Sequence, residues 1–424
     1  MIDILFSAQA ILGQVLSGRS LSASISGGAS SVRLEGRSSA AAKNAVYGSL
    51  RHFGFLDFAI KHLMRQENPQ IKALLVVAIY ELEFTGAPSH AVVNAAVDCA
   101  VKMQLGGLKK LVNGVLRSYL RKSEEIKSSA KENLVATLGH PTWWINKLTN
   151  QYGQKKAEEI MLASFIHPPL SLRVNTRKIS PQDYKNTLAS SARSWRVPGI
   201  SGASEAIILE KPVPVSEIPG FSQGLASVQD VGAQLAAEIL DLQDGQRVLD
   251  ACAAPGGKST HILERASVSL LCLDQDHLRM KRVKENLQRL GHRAKTLVAD
   301  AANLDAWWDG KPFDRILVDA PCTGSGVVRR NPDIKWIRRE EDLRSFSEQQ
   351  QKLLSSLWKV LTKGGKLLYV TCSIFQEENE HQVEWFLKKH PDAEIAAHHG
   401  KDIGHNLTPN EDHDGFFHAL LEKK

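Results

Sequence analysis

Two cysteines of this chain stand where a thiol can do chemistry. Cys372 follows the apolar run KLLYV in YVTCSIFQEENE, and Cys322 ends the run Asp319, Ala320, Pro321, Cys322 in VDAPCTGSGVVRRNPDIKW. An Asp-Ala-Pro-Cys run at a strand's end puts a carboxylate and a thiol at one mouth. Cys372 is expected at a strand's carboxyl edge, before a helix start able to lower its pKa from about 8.5. Either cysteine alone is more often an inert buried thiol. Two of them, on two strands ending at one crevice beside a cofactor turn, are expected to react. Arg329, Arg330, Lys335 and Trp336 follow Cys322 and suit phosphate and base contacts.

The cofactor turn is DACAAPGGKST, Asp250 to Thr260. A strand ends at Asp250 and a helix is expected to start near Lys258. Small residues at Ala253, Ala254, Gly256 and Gly257 let backbone approach a ligand closely, and the helix start offers free N–H groups to a carboxylate or phosphate. The turn is not GxGxxG, which counts against a dinucleotide. Asp274, ending LLCLDQD about 20 residues on, stands where an acidic side chain binds ribose hydroxyls. That placement serves NAD and S-adenosylmethionine equally. Asp300, closing LVAD, stands where an adenine amino group can be read.

The elements that must position these residues alternate from about Ser227 onward. QRVLDACAA, LLCLDQD, KTLVAD, DRILVDA, KLLYVTCS and FFHALLEK read as strands. KSTHILERA, HLRMKRVKENLQRLG, EDLRSFSEQQQKLLSSLWKVL and NEHQVEWFLKKH read as helices. Such alternation means an α/β domain with a mostly parallel, doubly wound, Rossmann-like sheet, whose ligands bind at the carboxyl ends of the strands. Residues 136–226 read as a small α+β subdomain, with helical PTWWINKLTNQYGQKKAEEIMLAS followed by the short strands LSLRVNT and AIILEK. Residues 1–135 read as all helical, with apolar residues near a 3.6 period in AVYGSLRHFGFLDFAIKHLM, IKALLVVAIYELEF, HAVVNAAVDCAVKM and LKKLVNGVLRSYLRK. Ser89 is placed as an N-cap, SASISGGASSVRLEGRSS as a loop, and Ser123 to Glu132 as the linker between domains. The domains expected are therefore 1–135, 136–226 and 227–424.

Composition sets the outer bounds. The chain has 424 residues, and a length of that order divides into two or three domains. No apolar run reaches the ~20 residues that span a bilayer, and the first residues lack the features of a secretory signal. Five cysteines without a CxxC pair argue against a disulfide framework and a structural zinc site; no metal is expected. Residues 1–135 carry 16 Lys+Arg against 10 Asp+Glu, and the remainder 37 against 36. A basic helical module beside a nearly neutral one points to a polyanion-binding appendage on an enzyme, or else to a solvated basic face.

APGGK, DAPC and TCS, in this order and spacing, resemble the RNA 5-methylcytosine methyltransferases. The helical first domain resembles the NusB fold, and together they make the chain similar to the RsmB (Sun, Fmu) branch of that family. The resemblance covers essentially the whole chain and is tightest over residues 229–424. One departure is TGSGV after Cys322, where relatives often carry serine first. The resemblance implies an S-adenosylmethionine-dependent transfer to C5 of one cytosine of 16S ribosomal RNA, position 967, by a monomer in the cytoplasm. It implies that Cys372 is the nucleophile, that Cys322 serves product release and that Asp319 activates the base. It also implies that Cys252, Ala253, Ala254, Pro255, Gly256, Gly257, Lys258, Asp274, Asp300 and Asp319 hold the cofactor. Three other readings are weaker. A dehydrogenase leaves both cysteines idle, and a non-enzymatic RNA-binding or assembly factor leaves Cys372 dispensable. A zinc protein built on His398, His399, His405, His413 and His418 has no ligand spacing to support it.

Overall fold

A computed structural model describes residues 1–26, 36–396 and 404–424. The chain forms two compact units, one of Met1–His167 with Val328–Glu340, the other of Pro168–Val327 with Glu341–Lys424.

The first unit is all helical. Its central helix, Pro69–Phe84, is buried almost all round from Ile71 to Glu81; it starts at Pro69, with Asn68 accepting the Gln70 N–H. Helices Ile2–Leu16, Ser89–Lys102 and Lys109–Ala130 turn one apolar stripe each into the same core. Four expectations change here. The helix expected over 45–64 is two, Gly36–Arg51 and Phe53–Leu63, because the chain breaks at His52 and Gly54 passes so close to the Val135 carbonyl that a Cβ would sit 2.1 Å from it. Ser89 is the first helical residue and makes no cap; Pro88 occupies the N-cap position. Ser123 to Glu132 is no linker: Ile126 and Ala130, one turn apart, are buried, and the helix runs through to Ala130. The Ser/Gly stretch is helical at Leu21–Ser26 and again from Gly36, while residues 27–35 lie outside the described part, as do His398 and His399.

Within the same unit, Val328–Glu340 packs on the helices. Trp336 donates its indole N–H to the Leu50 carbonyl at 2.8 Å, and Asp333 accepts the Leu21 N–H at 2.9 Å. Arg329 and Lys335 are buried inside the helical unit, so the expectation that these two reach for phosphates is overturned, while Arg330 stays partly exposed. The Lys335 ammonium lies 3.3 Å from the Arg51 carbonyl and 3.4 Å from the Ser164 hydroxyl, and burial pulls its pKa down to about 7.

The second unit opens with a four-stranded antiparallel sheet of β1 (Leu170–Val174), β2 (Trp195–Arg196), β3 (Ala206–Leu209) and β4 (Ala226–Val228), in the order β2-β3-β1-β4. The helix Pro181–Ser190, capped by Ser180, drives Tyr184 and Leu188 onto it. The larger sheet holds β5 (Arg247–Asp250), β6 (Ser269–Asp274), β7 (Lys295–Val298), β8 (Phe313–Asp319), β9 (Leu361–Thr371), β10 (Ala393–Ile395), β11 (His405–Leu407) and β12 (Phe416–Lys423). Its order is β10-β12-β9-β8-β5-β6-β7, with β11 paired to β12. Strands β5 to β9 are mutually parallel and β12 runs antiparallel to β9. Apolar layers cover both faces, as a parallel sheet requires. The Rossmann-like sheet, the α+β subdomain and the all-α first region agree with the sequence reading. No helix among the described residues is long and apolar enough to cross a membrane.

Candidate active site

Strand order reverses between β5 and β8, and a parallel sheet opens a crevice at the carboxyl ends of the strands at such a point. A cavity of about 230 Å³ lies there. Of the residues singled out from the sequence, Cys252, Ala254, Asp274, Asp300, Asp319, Cys322 and Cys372 line it. Ala253, Pro255, Gly256 and Gly257 do not line it and form the turn between β5 and the helix Gly257–Arg265. Gly256 must be glycine: its φ is +99°, and a Cβ would stand 3.1 Å from the Val283 Cα. The helix begins at Gly257, one residue before the expected Lys258.

The turn is held from several sides. Asp274 is buried at the end of β6, where one oxygen accepts the Ala254 N–H at 3.1 Å and the other the Asp276 N–H at 2.9 Å. Arg279 donates to the Ala254 carbonyl at 2.9 Å, and Asn286 to the Pro255 carbonyl at 3.0 Å. Beneath the turn, Asp250 accepts the Ser259 hydroxyl at 2.6 Å, and burial raises its pKa to about 7. From β1, fully buried Arg173 bonds the Glu264 carboxylate at 2.9 and 2.8 Å, the Thr260 hydroxyl at 3.0 Å and the Gly257 carbonyl at 2.6 Å. Asp300 is exposed at the cavity edge and accepts the Ala302 N–H at 2.9 Å.

Lys258 lies outside the lining, and its ammonium reaches across to Asp319 at 2.7 Å. Burial by itself would lower its pKa, and the Asp319 carboxylate, aided by Cys372 and Asp250, reverses this and holds it above the ordinary lysine value. At the other side, Cys322 Sγ and Cys372 Sγ are 3.4 Å apart, although 50 residues separate them in the chain. The contact with Cys372 and burial push the Cys322 thiol well up, with Glu378 adding to it. The helix expected directly after Cys372 starts at Glu380, because Asn379 is first tied back to Thr371 and Ser373.

Sequence reasoning passed over Gln275, Arg279, Gln349 and Leu353, which also line the cavity. Arg279 carried a signal: it lies one turn into the helix His277–Leu290, three residues after the N-cap Asp276. It also passed over a second basic surface. That helix exposes Lys281, Arg282 and Lys284, whereas the charge excess had been assigned to the first third of the chain.

The doubly wound sheet with its cavity at the switch point, a carboxylate closing β6 and a glycine turn after β5 define a Rossmann-like domain for a nucleotide-containing cofactor. The cavity's chemistry fits S-adenosylmethionine. Carboxylates at Asp274 and Asp300 suit hydroxyl, amine and cationic groups, and the small apolar wall of Ala251, Ala254, Ala299, Ala301 and Leu353 suits a purine. Residues 237–422 match the family described as 16S rRNA methyltransferase RsmB/F, residues 140–216 its ferredoxin-like domain, and residues 2–121 the NusB family. A ribosomal RNA small subunit methyltransferase B of Vibrio cholerae is 38% identical over 100% of this chain and 98% of its own length. The crystal structure of PH0851 superposes with a TM-score of 0.81 at 25% identity, covering 100% of this chain and 99% of its own. A methyltransferase homolog protein from Pyrococcus horikoshii superposes with a TM-score of 0.61 at 28% identity over 70% of this chain and 99% of its own. The chain belongs to the RsmB/F methyltransferase family and is an S-adenosylmethionine-dependent methyltransferase.

Proposed function

We propose that this enzyme methylates C5 of one cytosine in 16S ribosomal RNA through a covalent bond between Cys372 and C6 of the base. The observation that carries the reading is the pair of thiols 3.4 Å apart at the rim of a cofactor cavity, beside the Asp319–Lys258 ion pair. Cytosine C5 is a poor nucleophile. Addition of a thiolate to C6 turns the ring into an enamine whose C5 can attack an electrophile, which splits one hard step into two easier ones. S-adenosylmethionine supplies the electrophilic methyl group. Asp274, Asp300 and, from the turn, Cys252 and Ala254 would hold and orient it.

Cys372 adds to C6 as the thiolate. Charge then builds at N3, where the Asp319–Lys258 pair offers a shared proton to stabilise it. After transfer, a base must take the C5 proton so that the ring electrons expel Cys372. Cys322 is suited to that moment. Contact with Cys372 is the first cause that pushes its pKa up, and that influence disappears once Cys372 is bonded to carbon, so that Cys322 can pass its proton to solvent and then take the C5 proton. The base must be unstacked to meet the thiolate, which favours a loop or incompletely assembled RNA as substrate.

The test is RNA carrying 5-fluorocytosine. Wild-type protein should be trapped covalently, because fluorine cannot leave as a proton does, and the trapped peptide should contain Cys372. Cys372→Ala should bind cofactor normally and methylate nothing. An adduct on Cys322 would reverse the assignment of the two thiols; full activity of Cys372→Ala would sink the covalent route.

A further inference from the structure

The two thiols come from two different strand ends, and a 3.4 Å spacing between half-buried side chains needs something to hold both ends at once. Glu378 sits behind them, fully buried, outside the cavity lining and at the end of a short 3-10 turn, Gln376–Glu378. One carboxylate oxygen accepts the Thr323 N–H at 2.8 Å, and the other accepts the Thr323 and Ser373 hydroxyls at 2.5 Å each. Thr323 directly follows Cys322, and Ser373 directly follows Cys372. The same carboxylate takes a weaker bond from Gln350 at 3.3 Å, and Gln350 also donates to the Pro321 carbonyl at 3.0 Å. Every bond the Glu378 carboxylate accepts therefore comes from, or leads to, a residue within one position of a cysteine.

We propose that Glu378 is the positioning residue of the thiol pair, a single carboxylate to which the residue after each cysteine is tied. Burying a carboxylate is unfavourable unless donors satisfy it, and burial indeed raises the pKa of Glu378 while the donors from Ser373 and Thr323 oppose that rise. Four converging donors are the arrangement that makes such a buried group tolerable, and they make it directional. The hydroxyls cannot be satisfied by Glu378 unless both strand ends lie where they do. Ser325, bonded to Ser373 at 2.9 Å, and the Gly326 N–H, bonded to the Cys372 carbonyl at 2.9 Å, stitch the two loops together further along. Those contacts involve only the loops themselves and fix no position for the pair relative to the long helix. Gln350, on the helix Glu340–Lys359, gives Glu378 that external reference.

The proposal rests on the covalent-cysteine reading for its catalytic consequence, but its geometric core can be tested without it. Dibromobimane bridges two thiols only when they are close, and it needs no RNA. Full-length wild-type protein should be bridged between Cys322 and Cys372. Glu378→Gln, which keeps the size of the side chain and replaces an accepting oxygen by a donor, should be bridged at least ten times more slowly. With RNA, its kcat should fall on the order of 100-fold, the usual consequence of displacing a reacting group by about 1 Å. Its affinity for S-adenosylmethionine should stay within about two-fold, since Glu378 does not line the cavity. A merely structural carboxylate would lower the melting temperature and leave the bridging rate of the folded fraction unchanged; that result overturns the proposal. If Glu378→Gln does not fold, Ser373→Ala and Thr323→Val each remove one tie. Slower bridging in either supports the proposal, and wild-type rates in both overturn it. Full methylation by Cys372→Ala would instead refute the covalent reading, and the bridging rates would still decide the role of Glu378.

Discussion

Replacing Cys322 by alanine separates bond formation from release. The two sulfurs are 3.4 Å apart. A unit charge at that distance acts on its neighbour with about 5 kcal/mol at an effective dielectric of about 20. That contact is the leading cause that pushes the Cys322 thiol up, with burial and Glu378 adding to it. While Cys372 is a thiolate it helps keep the proton on Cys322; once Cys372 is bonded to C6 that contribution is gone, and Cys322, after giving its proton to solvent, can take the C5 proton as a base. A general base of this kind contributes about 10²- to 10⁴-fold. Cys322→Ala should therefore form the adduct and transfer the methyl group at near wild-type rate in a single turnover. It should then release RNA on the order of 10³ times more slowly. The assay is a denaturing gel of protein with labelled RNA, read over time beside the yield of 5-methylcytosine. A slow-migrating band should accumulate in step with the methylated base. Normal multiple turnover with no trapped band would refute the release role and the electrostatic reasoning behind it.

Three other outcomes follow from the geometry. Asp250 keeps its proton up to about pH 7 in the folded protein, while an unfolded aspartate releases it near 4, so its contribution to stability is whole below pH ~4 and is lost as pH rises through 7. Asp250→Asn should thus raise the stability relative to wild type at pH 8, by about a few kcal/mol at most, and change it little at about pH 4, read as unfolding free energy; the opposite order would contradict the assignment. Arg173→Met leaves Glu264 buried without its partner and should cost about 3–5 kcal/mol in urea unfolding, part of which the double change with Glu264→Gln should restore. Alanine at Lys281, Arg282 and Lys284 should flatten the plot of log affinity for RNA against log salt by about two units, with cofactor affinity untouched. An unchanged slope would remove this helix from the RNA surface.

Local rules reach far in this chain because most of its signals are local. The 3.6-residue repeats of the first third and the strand-helix alternation after Ser227 follow from where apolar side chains must go, and they led to the right layers and sheet type. The turn Asp250 to Thr260 was legible because only small residues permit its path, and Asp274 because a strand's end lies one helix further on. Misplaced boundaries had equally local causes. His52 splits a helix because Gly54 passes a backbone carbonyl 81 residues away in the chain, at Val135, and no periodicity reports that. Ser123 to Glu132 looked polar enough to be a linker, yet Ile126 and Ala130 suffice to bury one face of a helix.

Hydrophobic pattern and turn chemistry mark strand ends, and they place a cofactor turn, three aspartates and two cysteines there. They do not determine which strands are neighbours. Only the order β9-β8-β5-β6 puts β8 beside β9, and so Cys322 beside Cys372, and lets Lys258 reach Asp319. The cations after Cys322 show the same division. Their composition reads as a phosphate-binding run, but Val328–Glu340 buries Arg329 and Lys335 within the helical unit. Whether a charge faces water or a carbonyl depends on what packs over it, and that is settled by contacts between residues far apart in the chain. Glu378 is the clearest case: in QEENE it is one acid among three, and only the fold converges Thr323, Ser373 and Gln350 upon it.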